Sequence, residues 1–348
     1  MVLPVYRVPE YLSDCLDSVL GQAPEGTEVI AVDDASPDSC GQLLDARARL
    51  DPRLQVIRLA GNAGPGNARN IGLKSATGDY VWFADADDRL ADGALAAVRA
   101  RLAQDQPDVL LIDYEDCYPG GRTAPSPGGA LLRAAPAGLF TLAQQPALIN
   151  LTMTAWSKVI RRAFLAEIGL PFPPGIHEDV PVTCAVLLSA RRISALDRVC
   201  YRYRRARRGS FMVTTSDQHF DIFGSYQAVF DNLPSFAEHA GAPVTEAVST
   251  ALFGRAIWHY TTILGTGGAG VGAAGAGGLV PRRSRKIFFE RMHQDFRRWR
   301  PAGYQYPPGA RGVKFRLVER NAYRTYSVLE PANQLRVLAS RLASRLRG

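Results

Sequence analysis

Tyr80-Val81-Trp82-Phe83-Ala84-Asp85-Ala86-Asp87-Asp88 sets five apolar residues in a row against an acidic end. An apolar run this short reads as a strand buried on both faces, the kind used in a parallel sheet covered by helices. Alternate residues of a strand point to one side, so Asp85 and Asp87 are expected to project together into a single site.

The same alternation extends outward in both directions. Residues 2–6 read as a strand stub, and 9–22 as a helix with Leu12, Leu16, Val19 and Leu20 on one face. Residues 28–32 form a second strand ending in Asp33-Asp34. Helix is expected over 43–50, strand over 54–59, helix over 68–74, helix over 92–102 and strand over 109–112. Strand-helix alternation gives an α/β fold with a doubly wound, mostly parallel sheet flanked by helices. Such sheets bind ligands outside the carboxyl ends of their strands. The acids at 33–34 and at 85–88 are therefore expected on one rim.

Residues 118–138, rich in Pro, Gly and Ala, read as an exposed loop. Beyond 217 the pattern is mainly α-helical, interrupted by a Gly/Ala-rich linker at 265–280. The expected organisation is a catalytic domain over 1–215 and a helical C-terminal region over 216–348.

With 348 residues the chain can bury a full α/β core and carry this second element. Five scattered cysteines without a C-x-x-C pair exclude a disulfide framework and a zinc site, and point to a reducing cytoplasm. No secretory leader is legible at the start. Residues 261–280 are uncharged and long enough to span a bilayer, but Gly and Ala make insertion weakly favourable at best. The net charge of +8 is concentrated in 202–208 and 282–300. Such a balance serves nucleic acid, an anionic membrane or a phosphate-rich substrate, and charge alone does not choose among them.

Individual motifs narrow the chemistry. Hard carboxylate oxygens at Asp85 and Asp87 suit Mg²⁺ or Mn²⁺ shared with substrate phosphates, and Asp88 is left to cap the following helix. Asp34 can accept a hydrogen bond from a nucleobase N–H, favouring uridine or thymidine; the alternative is a helix cap by Asp34 or Ser36. The Gly-rich stretch 61–70, which contains Asn67, could meet a ribose or phosphate through its N–H groups, but matches neither a P-loop nor a dinucleotide fingerprint. Glu178-Asp179 opens an apolar helix, where a carboxylate could act as general base or simply balance the helix dipole. Arg202, Arg204, Arg205, Arg207 and Arg208 suit phosphate oxygens, unless they line a solvated strand edge. Phe288, Phe289, Met292, Phe296 and Trp299 recur at helical spacing among arginines. This reads as a helix packing its apolar stripe on a core, with an anionic membrane surface as the alternative.

Several ordered motifs resemble the family 2 glycosyltransferases of the GT-A fold. They are Pro4-Val5-Tyr6, Val32 to Ser36, Ala68-Arg69-Asn70-Ile71-Gly72, Thr77-Gly78-Asp79-Tyr80, Asp85 to Asp88, Trp156-Ser157-Lys158 and Glu178-Asp179. The resemblance implies inverting transfer from a nucleotide-diphosphate sugar, with a UDP-sugar expected. It places Pro4, Tyr6 and Asp34 at the base, Asp85 and Asp87 at the ribose, diphosphate and metal, and Asp179 as catalytic base. Residues 203–210, including Arg207, look like the arginine-bearing segment that follows the base in many members.

A narrower likeness is to glycosyltransferase modules found beside CDP-glycerol glycerophosphotransferase modules in actinobacterial cell-wall polymer enzymes. It rests on Asp197-Arg198-Val199-Cys200, Thr214-Thr215-Ser216, His219-Phe220-Asp221 and residues 304–314. It implies a glycan or polyol-phosphate acceptor of teichoic type, work in the cytoplasm or at the inner membrane face, and peripheral membrane association. A homo-oligomer is compatible with the helical tail. The rivals are a glycerophosphate- or nucleotidyl-transferring enzyme with the same metal site, and a catalytically silent scaffold. Nucleic acid is not an expected partner, because the basic segments carry no recognised module.

Overall fold

The computed structural model describes residues 1–205, 214–265 and 278–329. Arg207 and Arg208, residues 266–277 of the expected linker and the tail from 330 lie outside them.

Nine strands are described: β1 (Val2–Val5), β2 (Val29–Asp33), β3 (Leu54–Arg58), β4 (Tyr80–Trp82), β5 (Arg89–Leu90), β6 (Val109–Cys117), β7 (Thr123–Pro125), β8 (Lys158–Arg161) and β9 (Ile193–Arg204). β1, β2 and β3 pair in parallel. A parallel bridge from Val2 to Phe83, with the Ala84 N–H donating to Val2 O at 3.0 Å, continues the ladder to β4. From β4 the order runs β8, β6, β9, β5, with β8 and β5 antiparallel to their neighbours and β9 parallel to β6. Six of the nine described strands run in one direction, as the strand-helix alternation leads one to expect, and β5, β7 and β8 run against them.

The sheet is covered on both faces because β2 is apolar at every position before its acid. Val29 and Ala31 pack in the cluster that holds Leu12, Leu16 and Val19 of helix Pro9–Leu20 and Leu44 of helix Cys40–Leu50. Ile30 and Val32 pack instead with Ala68 and Ile71 of helix Gly64–Ser75. Each fully buried Val, Leu or Ile contributes roughly 1.5–3 kcal/mol relative to exposure. The approach of this last helix to the sheet depends on Gly72, where a Cβ would collide with Val2 Cγ1 and stand 3.2 Å from Val32 Cγ2. Gly72→Ala is expected to cost about 1–3 kcal/mol by overpacking, read as a lower urea midpoint with an unchanged slope.

One local expectation is corrected, and one open alternative is decided for the described arginines. Residues 118–138 are not simply an exposed loop: β7 returns to pair with β6, and helix Gly129–Arg133 buries Leu132. The arginine-rich strand is not an edge, since β9 lies between β6 and β5. Arg202 Nε donates to Glu115 at 2.9 Å and Arg205 Nε to Asp116 at 2.8 Å, so these two cations answer acids of the adjacent strand.

The chain divides into two compact units, Met1–Arg205 with Ser225–Val248, and Ala206–Gly224 with Ser249–Gly348. In the second, helix Arg285–Trp299 buries Phe288, Phe289, Met292 and Phe296, which is the core-packing reading of that basic segment. Tyr260 donates to the buried Asp295 at 2.9 Å. Among the described residues no helix is long and apolar enough to cross a membrane.

Candidate active site

The acids of Asp85 to Asp88 converge by a different route from strand alternation. β4 ends at Trp82, and the chain then turns, the Asp88 N–H donating to Asp85 O at 3.1 Å. The turn brings carboxylate oxygens of Asp85, Asp87 and Asp88 within 4.8 Å of one another. Asp88 does not cap the next helix, which starts at Ala94 behind Gly93. It is buried, accepting from the Tyr201 hydroxyl at 2.9 Å and from the Arg204 N–H at 2.6 Å. Burial first, then Asp87 and Asp85, push its carboxyl well above the usual range. Three crowded carboxylates of this kind match the hard-oxygen donor set of Mg²⁺ or Mn²⁺, and a cation there would relieve their repulsion.

Tyr201 fixes the turn from below. Its ring stacks on Trp156 with centroids 4.4 Å apart and planes 5° apart, and its oxygen also accepts the Asp85 N–H at 3.0 Å. Arg204 Nε donates to Asp87 O at 2.8 Å.

Pro4 lies in β1, and Tyr6 follows it beside Arg7, whose guanidinium stands 5.2 Å from the Tyr6 ring centroid. Asp34 follows β2 and donates its N–H to Val5 O at 2.9 Å, so these three candidates share the carboxyl end of adjacent strands. The buried Asp34 carboxylate accepts from Asn62 Nδ2 at 2.9 Å, Ala63 N–H at 2.7 Å and Gly64 N–H at 2.9 Å. It therefore caps helix Gly64–Ser75 across the sheet, and the N–H groups of Ala63 and Gly64 are already used. The Asp34 Oδ1 atom carries one of these bonds, which leaves it a second lone pair.

The Gly-rich stretch is explained locally. Gly64 has φ +85°, and a Cβ on Gly66 would stand 2.5 Å from Pro173 O and 3.1 Å from Glu178 Cγ. That close approach accompanies contacts from Arg69 to Glu178 and from Asn70, which exchanges hydrogen bonds with Phe172; Asn67 lies on the same helix, half-buried. Arg69 was not among the candidates from sequence, although it stands in the quoted Ala68-Arg69-Asn70 motif. It is buried, and its guanidinium pairs with Asp85 Oδ1 at 2.8 Å and with Glu178 Oε1. The carboxylates of Asp85 and Glu178 outweigh burial and hold its pKa above the ordinary arginine value.

Glu178 is buried and committed to Arg69, whereas Asp179, the first residue of helix Asp179–Ser189, is half-buried. Burial and the adjacent Glu178 push the Asp179 carboxyl up to about 8, against the pull of Arg69 and Lys158. The site thus holds a carboxylate of raised basicity, joined through Arg69 and Glu178 to an acidic cluster at the end of β4. Arg207 lies outside the described residues.

Residues 1–169 match the family described as Glycosyl transferase family 2. The chain is similar to the poly(ribitol-phosphate) beta-N-acetylglucosaminyltransferase TarS of Staphylococcus aureus, 32% identical over 217 residues, 61% of this chain and 36% of that protein. A poly(ribitol-phosphate) beta-glucosyltransferase of Bacillus spizizenii is 30% identical over 241 residues, 66% of this chain and 36% of its own length. The chain spans little more than a third of either relative. In fold it is similar to the crystal structure of S. aureus TarS 1-349 in complex with UDP, with a TM-score of 0.69 and 23% identity over 96% of this chain and 90% of that one.

Proposed function

Taking as premise that residues 1–169 form a glycosyl transferase family 2 domain, on a GT-A fold, we propose a metal-dependent, inverting sugar transfer from a UDP-sugar to a hydroxyl of a teichoic-type polymer. The observation that carries it is the Asp85–Arg69–Glu178 ion-pair chain, which ties the acidic cluster to the helix that begins with Asp179. The relatives named for poly(ribitol-phosphate) support the acceptor class, and the TarS structure named for UDP supports the donor.

In this reading the acceptor oxygen attacks the anomeric carbon as the bond to the diphosphate breaks, and Asp179 takes the hydroxyl proton. Pro4, Tyr6 and Asp34 hold the base, with the remaining Oδ1 lone pair of Asp34 set to accept from uracil N3–H. Asn67 and Asp85 face the ribose and diphosphate. Asp85, Asp87 and Asp88 would hold a Mg²⁺ or Mn²⁺, which when bound offsets the charge of the leaving diphosphate. Arg204, bonded to Asp87 O, keeps that turn in place. A UDP-sugar donor puts the reaction in the cytoplasm, at the inner face of the membrane if the polymer is carried there.

Melting curves with UDP, CDP or GDP, each with and without Mn²⁺, test the donor side. UDP with Mn²⁺ at about a hundred times Kd is expected to stabilise by about 2.7 kcal/mol, and Asp87→Asn to remove the metal-dependent part. An equal response to CDP would overturn the uridine assignment, and indifference to metal would overturn the metal. Transfer to poly(ribitol phosphate) against neutral glycans tests the acceptor, and a preference for neutral glycans would sink that class.

A further inference from the structure

The other end of the sheet carries a basic cleft. At the opposite rim from Asp85 to Asp88 lies an open cleft of about 860 Å³, lined by Arg99, Arg161, Arg162, Arg191 and Arg192 with Asp79 and Asp108 as its acids. Tyr80 at the start of β4 also lines it, so about 15 Å of extended chain separates it from the acidic cluster. We propose that this cleft binds phosphate groups of a linear phosphate-bearing polymer, as a site separate from the one that holds the donor.

Buried Asp108 organises the cleft. Its Oδ1 accepts from Arg161 Nη2 at 2.8 Å, and its Oδ2 accepts the backbone N–H groups of Arg191 and Arg192, each at 3.0 Å. Asp108 is therefore paired in charge with Arg161, and it fixes where three arginines start. The remaining side chains are tethered by one nitrogen each. Arg162 Nε donates to Gly78 O at 2.7 Å, Arg191 Nε to His239 O at 2.6 Å, and Arg192 Nη2 to Asp105 O at 2.7 Å. A guanidinium held at one nitrogen has lost part of its rotamer freedom and still presents further N–H donors, the arrangement that suits bidentate phosphate recognition. Arg99 faces the same space from helix Ala94–Asp105 and is exposed.

The chemistry of the walls selects the occupant. Single-stranded nucleic acid is held by aromatic faces on which its bases stack, yet Tyr80 is the one aromatic among the lining residues, and its hydroxyl is tied to Pro107 O at 3.0 Å. Insertion into a membrane interface needs protruding apolar side chains, and none of the exposed large hydrophobic residues lies in the lining. A concave row of arginine forks without either feature fits a flexible chain of phosphodiesters. The proposal concerns a remote segment of such a chain and stands whether or not the donor is a UDP-sugar.

The test measures binding of inorganic polyphosphate, without donor or metal, across a salt series. The proteins are the wild type, Arg162→Gln/Arg191→Gln and Arg99→Glu; Arg161 and Arg192, bonded to Asp108 and Asp105, are kept. The double variant is expected to bind at least tenfold more weakly, with a salt slope smaller by about two. Arg99→Glu is expected to weaken binding with an unchanged melting temperature. The response to UDP with Mn²⁺ should be the same in all three. Unchanged polyphosphate affinity in both variants would overturn the proposal. So would variants that lose binding to phosphatidylglycerol vesicles while keeping polyphosphate, because the cleft would then serve a membrane.

Discussion

Asp179→Asn is expected to lower sugar transfer by about 10²–10⁴-fold, the usual worth of a positioned general base, and at the same time to raise the melting temperature near neutral pH. The two effects have one cause. An ordinary aspartate has a pKa of 3.8, and burial with Glu178 alongside moves this one to about 8. Between those values the folded protein binds more protons at Asp179 than the unfolded chain does, so stability falls as pH rises through the window. Asn carries no charge to desolvate and escapes that loss. Its melting temperature, measured without divalent metal, should match the wild type near pH 4, exceed it by a margin that grows to about pH 8, and stay level above. The rate should show the converse. Wild-type transfer should climb between pH 7 and 8 as the base ionises, and the residual activity of the variant should lack that limb. A variant that loses activity and stability together would remove Asp179 from the base position and return it to a structural role at its helix start.

β1 to β4 and the start of β6 were legible because they are short runs broken by polar turns, and a period of that kind survives without any long-range information; β9, twelve residues of mixed polarity, shows no such run. The acidic rim was legible for the same reason, since strand ends carry their acids wherever the rest of the chain goes. What each acid does there was not. Asp88 looked like a cap because Ala94–Asp105 follows it closely, yet its partners Tyr201 and Arg204 stand 113 and 116 positions away. Asp34 is used by Asn62, Ala63 and Gly64 across a crossover that pattern reading shows only as a Gly-rich loop. The β7 pairing was hidden because three residues in a Pro- and Gly-rich stretch are too few to show alternation. The arginines of this segment suited phosphate or solvent equally in the sequence, because a basic strand carries no mark of the acids on its neighbour. Arg162 and Arg191 belong to the opposite rim, where positions from separate segments meet only after folding.

Arg69→Met is expected to be the most damaging single substitution in the molecule. Methionine keeps much of the volume, so the loss is electrostatic. Glu178, buried, would face Asp85 and Asp179 with no cation between them. Removing one partner of a buried ion pair typically costs about 3–5 kcal/mol, because the abandoned charge stays desolvated. The same change takes away the attraction that now holds the Asp179 pKa down, so less of the base is ionised at pH 7 and transfer falls further. Arg69→Lys should rescue only part, since an ammonium cannot reach two carboxylates as a fork does. Adding Glu178→Gln to Arg69→Met separates the two roles. Urea midpoints should recover most of the lost stability in the double variant, because the stranded charge is gone. Transfer activity should not recover, because Asp85 and the Asp179 helix are no longer joined. If activity returned along with stability, Arg69 would be a packing residue, and the link from the acidic cluster to the base would have to run through another side chain.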